Sequence, residues 1–279
     1  MELRYAKEGD DIAGLWREVF PGDEGKTYFS REFTTAEVLV YEDLGQIMSM
    51  LHWTMQTMRM WGEDIPCAYV MGIGTRPEHR GKGLAGDLIE QALFELHLRK
   101  IPLACLIPAK PVLAGFYAKY GFFQAGARMK PPARVKCYPR ADSADITELN
   151  LLYESMVDGL AHLTRPRKRW EAILDEYDVE FGGDAGYAVY DRGVWLEGTG
   201  GLLSKDNSNA SCVKVVEAKM IAGLAAKHGK PLPGGIFDRY CPWNGVDDSR
   251  DSAEAEMCWF SGDPPYINLL YNGKDDETW

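Results

Sequence analysis

The residues best placed to do chemistry lie in one short run, Pro77-Glu78-His79-Arg80-Gly81-Lys82-Gly83-Leu84-Ala85. Two cations alternate with two glycines directly ahead of an apolar, periodic segment. Unpaired N–H groups at a helix start point one way and carry the positive end of the helix dipole. Gly81 and Gly83 remove side chains that would hold a ligand off the backbone, and Arg80 and Lys82 add charge. The predicted chemistry is the binding of a pyrophosphate. A plain helix start with solvated basic residues is the other reading of the same turn. Two standard phosphate loops do not fit. A P-loop ends Gly-Lys-Ser/Thr, whereas Gly83-Leu84-Ala85 follows Lys82. A dinucleotide fingerprint needs a third glycine and an acidic residue about twenty positions on.

The elements that must position this run are legible. Cys67-Ala68-Tyr69-Val70-Met71-Gly72-Ile73-Gly74-Thr75 reads as a strand with glycines where a ligand backbone could approach. After the run, Leu84, Ala85, Leu88, Ile89, Ala92, Leu93 and Leu96 recur at helical spacing, with Asp87, Glu90, Gln91 and Glu95 outward. Leu103 to Ile107 is the next strand, and Gly115 to Phe122 a helix-to-strand turn. Ahead of them come a short strand at Leu3 to Tyr5 and a helix whose face is Ile12, Leu15, Trp16, Val19 and Phe20, capped at Asp10 or Asp11. Tyr28 to Phe33 makes another helical turn or two. Glu37 to Glu42 and Gln46 to Met60 form a hairpin around Asp43-Leu44-Gly45, and Trp61 to Pro66 turns again.

Arg80-x-x-Gly83-x-Ala85 resembles the acyl-CoA pyrophosphate loop of the GNAT superfamily of N-acyltransferases, whose pattern is Gln/Arg-x-x-Gly-x-Gly/Ala. The strand at Leu103 and Phe116-Tyr117-Ala118-Lys119-Tyr120-Gly121 extend the resemblance over about the first 130 residues. It implies an acetyl-CoA-dependent transfer to a primary amine by direct attack. Arg80, Gly81, Lys82, Gly83, Leu84 and Ala85 would hold the pyrophosphate. Ile73, Gly74 and Thr75 would pair with the pantetheine amides as an added strand does, and offer an N–H to the developing oxyanion. Tyr117 matches the family tyrosine that protonates the leaving thiolate, although it could equally pack. Tyr120 reads as core. No motif marks a base: His52, His79, Glu32, Glu37 and Glu63 are candidates, with His52 read first as structural and His79 as solvated. Trp16, Trp53 and Phe33 read as core, or as lining for an acceptor pocket.

Lys130-Pro131-Pro132 breaks the pattern and sets the domain boundary: residues 1–130, then 131–279. The second part repeats the first in outline, with helices at Asp142 to Leu160 and Arg167 to Tyr177, a hairpin at Tyr187 to Tyr190 and Val194 to Leu203, and a helix from Val215 to His228. No Arg-x-x-Gly-x-Gly/Ala occurs there; Ser208 to Val215 stands in its place. The fold class is therefore α/β with a mixed sheet, two GNAT-like domains in tandem, the first intact and the second degenerate. This is similar to the Eis (enhanced intracellular survival) type, without its sterol-carrier-like third domain and with Gly81 and Lys82 where some members have arginines. The substrate does not carry over. In that type the terminal carboxylate reaches the active site as a base, which makes Trp279 a second catalytic candidate; the polar run 273–278 reads equally as a frayed tail.

Composition narrows the partners. Through Lys130 there are 15 basic and 17 acidic residues, leaving 16 and 25 beyond it, for a net charge of −11. Nucleic acid is a poor partner for so acidic a chain, whereas a cationic small-molecule or peptide amine would be drawn to it; a solubilising surface is the other reading of the same charge. Six cysteines without a Cys-x-x-Cys pair read as thiols in a reducing cytoplasm, with neither metal nor disulfide framework. No signal-peptide core follows Met1, and no apolar stretch approaches the roughly 20 residues of a membrane span. A homo-oligomer stays open. The competing reading is a catalytically silent acyl-CoA sensor or protein-interaction module.

Overall fold

The computed structural model describes residues 1–23, 25–124, 128–158, 160–204 and 212–229. Strand β1 (Glu2–Tyr5) leads to helix α1 (Ile12–Val19). Asp11 caps the helix by accepting the Gly14 N–H at 2.8 Å, and Ile12, Leu15, Trp16 and Val19 form the buried face, as their spacing predicts. One wide helical turn, Tyr28–Glu32, passes into a tighter one at Phe33–Thr35. β2 (Glu37–Asp43) and β3 (Gln46–Met60) form a hairpin closed by Leu44 and Gly45, both at positive φ, the backbone that a two-residue hairpin turn requires.

β4 (Glu63–Thr75) begins earlier than the sequence suggests. The expected turn over 61–66 shrinks to Trp61 and Gly62, and Pro66 lies inside the strand opposite Thr57. The Thr57 carbonyl accepts the Thr164 N–H at 2.9 Å on the far side of β3. Thr57 and Pro66 are thus a non-bonded pair, and the proline nitrogen faces a side where no neighbouring strand has begun.

α2 (Leu84–Leu98), β5 (Leu103–Leu106), α3 (Ala114–Ala118), β6 (Phe123–Gln124) and β7 (Arg128–Lys130) follow. The second half contributes α4 (Ile146–Met156), β8 (His162–Leu163), α5 (Arg167–Glu176), β9 (Asp178–Phe181), β10 (Tyr187–Asp191), β11 (Val194–Gly198), β12 (Leu202–Ser204), β13 (Cys212–Val215) and α6 (Ala218–Lys227). α4 starts later than predicted because Asp142 and Asp145 form a side-chain-bonded turn ahead of it. The predicted strand from Val194 to Leu203 breaks near Gly200 (φ 81°), and β12 leaves its hairpin to pair with β7.

The main sheet runs β1-β2-β3-β4-β5-β13-β6, with β8 added to β3. β4 and β5 are parallel and the other pairs antiparallel, so the sheet is mixed. α2 covers one face through Leu88, Ile89, Ala92, Leu93 and Leu96, packed on Leu51, Trp53, Val70 and Ala104. α1 and α6 cover the other, on Val40 and Met50 and on Met58 and Val213 respectively. β9, β10 and β11 form a smaller sheet that shares a core with α4 and α5 around Tyr153, Trp170 and Val189.

β13 is the element the sequence misplaces. Residues 212–215 fall in the 131–279 segment and were expected to run into a helix from Val215. They instead form a strand between β5 and β6 in the main sheet, with Cys212 opposite Leu106 and Val215 opposite Leu103. Val213 and Val215 bury on the α6 face and Cys212 on the α2 face, so a four-residue strand is fixed from both sides. Which neighbour it pairs with is a long-range choice that local pattern does not encode.

Candidate active site

β4 and β5 part company where the predicted site begins. They pair only at Cys67, Ala68 and Tyr69; β4 continues to Thr75 while β5 ends at Leu106. The edge of β4 beyond Tyr69 is therefore open. The Arg76 N–H bonds the Met48 carbonyl at 2.9 Å on the β3 side, so by alternation Thr75 turns its N–H and C=O to the open edge. Arg80 Nε donates to that carbonyl at 3.2 Å, which ties the loop to the strand end.

A β-bulge interrupts the β3–β4 ladder between Met50 and His52, and Gly72 sits in it at φ +58°. An added Cβ there would lie 2.6 Å from Trp16 and 2.8 Å from His52. At Gly74 it would lie 2.5 Å from Val19. The sequence suggested that these glycines open the strand to a ligand. Their faces are filled by α1 and His52, and what the strand presents to a ligand is its main-chain edge.

The loop behaves differently. Gly81 (φ +75°) and Gly83 (φ +85°) both require the left-handed backbone, and no protein atom lies within 4 Å of where a Cβ would be. Among the described residues, the N–H groups of Gly81, Lys82 and Gly83 donate to nothing in the protein. Consecutive free N–H groups in an open hollow at a helix start form an anion cradle. Arg80 and Lys82 are exposed above it, Lys82 Nζ standing 3.2 Å from His79 Nδ1. Leu84 is buried and anchors the helix start. A side chain on Gly86 would run into the Tyr120 hydroxyl, so Tyr120 packs on α2. These residues fit a pyrophosphate-bearing co-substrate.

Tyr117, on α3, is only 9% exposed and packs 6.1 Å from the Phe122 ring. Burial, with a smaller push from the Cys212 thiol, raises its hydroxyl to about 12, so it stays protonated and able to donate at neutral pH. Burial likewise raises the Cys212 thiol to about 12. The strand from the second half thus brings a side chain to the residue expected to serve the leaving thiolate. Trp279 lies outside the described residues.

On the α1 face of β4 a cavity of about 630 Å³ opens between the two halves. Trp16, Tyr28, Glu32, Tyr69 and Met71 form one wall, and Arg169, Glu176, Tyr177 and Asp191 another. Arg169 donates to Glu32 at 2.6 Å across it. Glu176 is held above the ordinary carboxylate range, mainly by burial, with Asp23 and Glu32 adding and Arg169 opposing. Of the base candidates, Glu32 faces this cavity. Glu37 pairs with Arg99, and Glu63 with Lys227 and His228. His52 is buried beneath the cavity against Tyr28. Trp53 is buried among the α2-side residues and Phe33 packs with Phe29. Tyr28, Tyr69, Tyr177 and Arg169 went unnoticed in the sequence; they come from separate elements and share no spacing that could have marked them.

Among the described residues, no group of His, Cys, Asp and Glu is arranged to hold a metal ion, and no helix is long and apolar enough to cross a membrane. Cys67 and Cys105 are buried thiols with sulfurs 3.4 Å apart, and Cys212 is a buried free thiol.

An open strand edge, a basic glycine loop and a helix start meet at one end of β4. Residues 2–125 match the acetyltransferase (GNAT) domain. The fold is shared with solved structures of low sequence identity. A conserved Enterococcus faecalis protein described as a probable N-acyltransferase is 18% identical, with 78% of this chain and 73% of that one covered at a TM-score of 0.60. A GCN5-related N-acetyltransferase from Anabaena variabilis is 16% identical over 77% and 73%, at 0.55. One from Kribbella flavida is 16% identical over 78% and 73%, also at 0.55. No curated protein matches the sequence.

Proposed function

We propose that the protein is an acetyl-CoA-dependent N-acetyltransferase that acetylates a primary amine by direct attack in a ternary complex. The observation that carries this reading is the run of free N–H groups at Gly81, Lys82 and Gly83, set at the end of a strand whose edge is open. A pyrophosphate would occupy the cradle under Arg80 and Lys82, with Leu84 and Ala85 beginning the helix beneath it. The pantetheine arm would lie along β4 at Ile73, Gly74 and Thr75, where the outward Thr75 N–H is a ready donor.

The acceptor amine would enter by the cavity between the halves, where carboxylates at Asp23, Glu32, Asp175, Glu176, Asp178 and Asp191 outnumber the cations Lys26, Arg140, Arg169 and Arg192. It must arrive at the thioester as the free base, having given up a proton. Its nitrogen then forms the C–N bond as the C–S bond breaks. Tyr117 gives its proton to the departing sulfur and regains one from the amide nitrogen side through solvent. The α-carboxylate of Trp279 is proposed as the base, by its likeness to the Eis type. A cytoplasmic setting fits the buried thiols.

Thiol release from acetyl-CoA with a panel of amines tests the reading. Release with at least one amine, and a rise in melting temperature with CoA larger than with NAD or ATP, is expected. CoA binding without release for any amine would favour the silent acyl-CoA-binding module. Removing Thr278 and Trp279 should lower turnover far more than melting temperature; unchanged turnover would return the base role to Glu32 or to water.

A further inference from the structure

His52 reads from the sequence as a lone strand histidine, and the structure gives it a specific partner. Its ring is fully buried, with Nδ1 2.6 Å from the Tyr28 hydroxyl. Nε2 has no hydrogen-bond partner among the described residues. Tyr28 is 7% exposed and lines the cavity between the halves. Trp16 stacks on Tyr28 at 5.1 Å and meets His52 edge-on at 5.5 Å. His52 pairs with Met71 at the margin of the bulge, and its Cδ2 would lie 2.8 Å from a Cβ at Gly72. The two rings are thus clamped between the cavity and the distorted stretch of β4 beside the open edge.

Neither ring carries charge at neutral pH. Burial pushes the His52 imidazole down to about 3. Burial, then the neighbouring Glu32 carboxylate, pushes the Tyr28 hydroxyl above its ordinary value. A neutral imidazole has one N–H and one lone pair, so it can fix the direction of a neighbouring hydroxyl without itself taking up a proton.

Building on the N-acetyltransferase reading, we propose that Tyr28 receives the acceptor amine and that His52 is the positioning residue for Tyr28. The hydroxyl donates to Nδ1 of His52, which places the ring proton on Nε2. The phenolic oxygen then keeps its lone pairs for the cavity, where they accept one N–H of the amine and turn its own lone pair toward the open edge of β4. Gly72 belongs to the same device, because any side chain there would displace His52 and Trp16.

The test uses the full chain, acetyl-CoA and the most active amine found by thiol release, with calorimetric binding of that amine to the CoA-loaded protein as a second readout. Tyr28→Phe removes one oxygen and should weaken the amine about tenfold or more, in KM and in calorimetric affinity, by losing one hydrogen bond. The KM for acetyl-CoA and the CoA-induced melting shift should stay within twofold of wild type. His52→Leu should cost as much as Tyr28→Phe, the double variant no more than the worse single one, and His52→Asn, which keeps an acceptor near Nδ1, should recover most of the loss. Unchanged amine affinity in Tyr28→Phe, or additive losses in the double variant, overturns the proposal. If His52→Leu does not fold, Tyr28→Phe and His52→Asn decide it. The two readings fail separately. Thiol release that ignores Tyr28→Phe sinks the role of Tyr28 alone. Amine binding that depends on Tyr28 in a protein that releases no thiol sinks acetyl transfer alone.

Discussion

Two strand–turn–helix units in the same sheet have opposite chemistry. In β4–α2 the turn is Arg76 to Gly83, its N–H groups at 81–83 are unspent, and two left-handed glycines leave the hollow above them open. In β13–α6 the turn is only Val216 and Glu217, and both N–H groups bond the Pro102 carbonyl, at 2.8 and 3.2 Å. Glu217 then places its own carboxylate at the helix start, 2.6 Å from His97 and 3.6 Å from Lys100. A helix N-terminus attracts anions wherever it occurs. Whether it binds a ligand depends on what has already answered it. In the second unit the Pro102 carbonyl takes the N–H groups leading into the helix, the Glu217 carboxylate adds negative charge beside its start, and the unit holds the sheet together.

Removal of the second unit should have the largest effect. A chain ending at residue 130 lacks the strand between β5 and β6 and leaves both edges bare. It is expected to show no cooperative thermal transition by circular dichroism and to associate in size-exclusion chromatography. A monomeric, CoA-binding fragment would establish 1–130 as an autonomous domain and reduce β13 to an accessory.

The next effect lies in the first unit. Gly83→Val forces a branched residue into φ +85° and fills the cradle. Stabilisation by CoA, about 2.7 kcal/mol at a ligand concentration of 100 times Kd, should vanish from the thermal shift. Glu217→Gly, by contrast, should create no CoA response in the second unit, since Pro102 still occupies its N–H groups. A normal shift in the first variant would remove the phosphate assignment.

Tyr117→Phe should lower kcat about 100-fold and leave the KM for acetyl-CoA and the melting temperature near wild type. With the hydroxyl raised to about 12, the donor form is complete below that value. The wild-type rate should therefore show no fall assignable to Tyr117 between pH 6 and about 10. Equal losses of turnover and of CoA affinity would make Tyr117 a packing residue. The smallest expected effect is Glu217→Gln. Its pairs are partly buried, at 12% side-chain exposure for Glu217, and should contribute about 1 kcal/mol, or a melting point lower by about 2–4 °C. The CoA shift should be unchanged.

Local structure was legible in the residues alone. The apolar face of α2, the glycine and cation pattern at 80–83, the hairpin at Leu44-Gly45 and the capped α1 follow from residues within one or two turns of each other, where periodicity and backbone preference act directly. The motif from Arg80 to Ala85 was legible because it is contiguous, whereas Tyr117, 34 positions beyond Gly83, was singled out by family resemblance. Long-range packing set the rest: Cys212–Val215 sits between β5 and β6, Gly72 and Gly74 admit α1 and His52, and Tyr28 and His52 meet under a cavity walled by α5 and β10. Each of these joins residues far apart in the chain. Their energy comes from burying apolar surface and satisfying polar groups across that distance, and neither leaves a period or a spacing in the sequence.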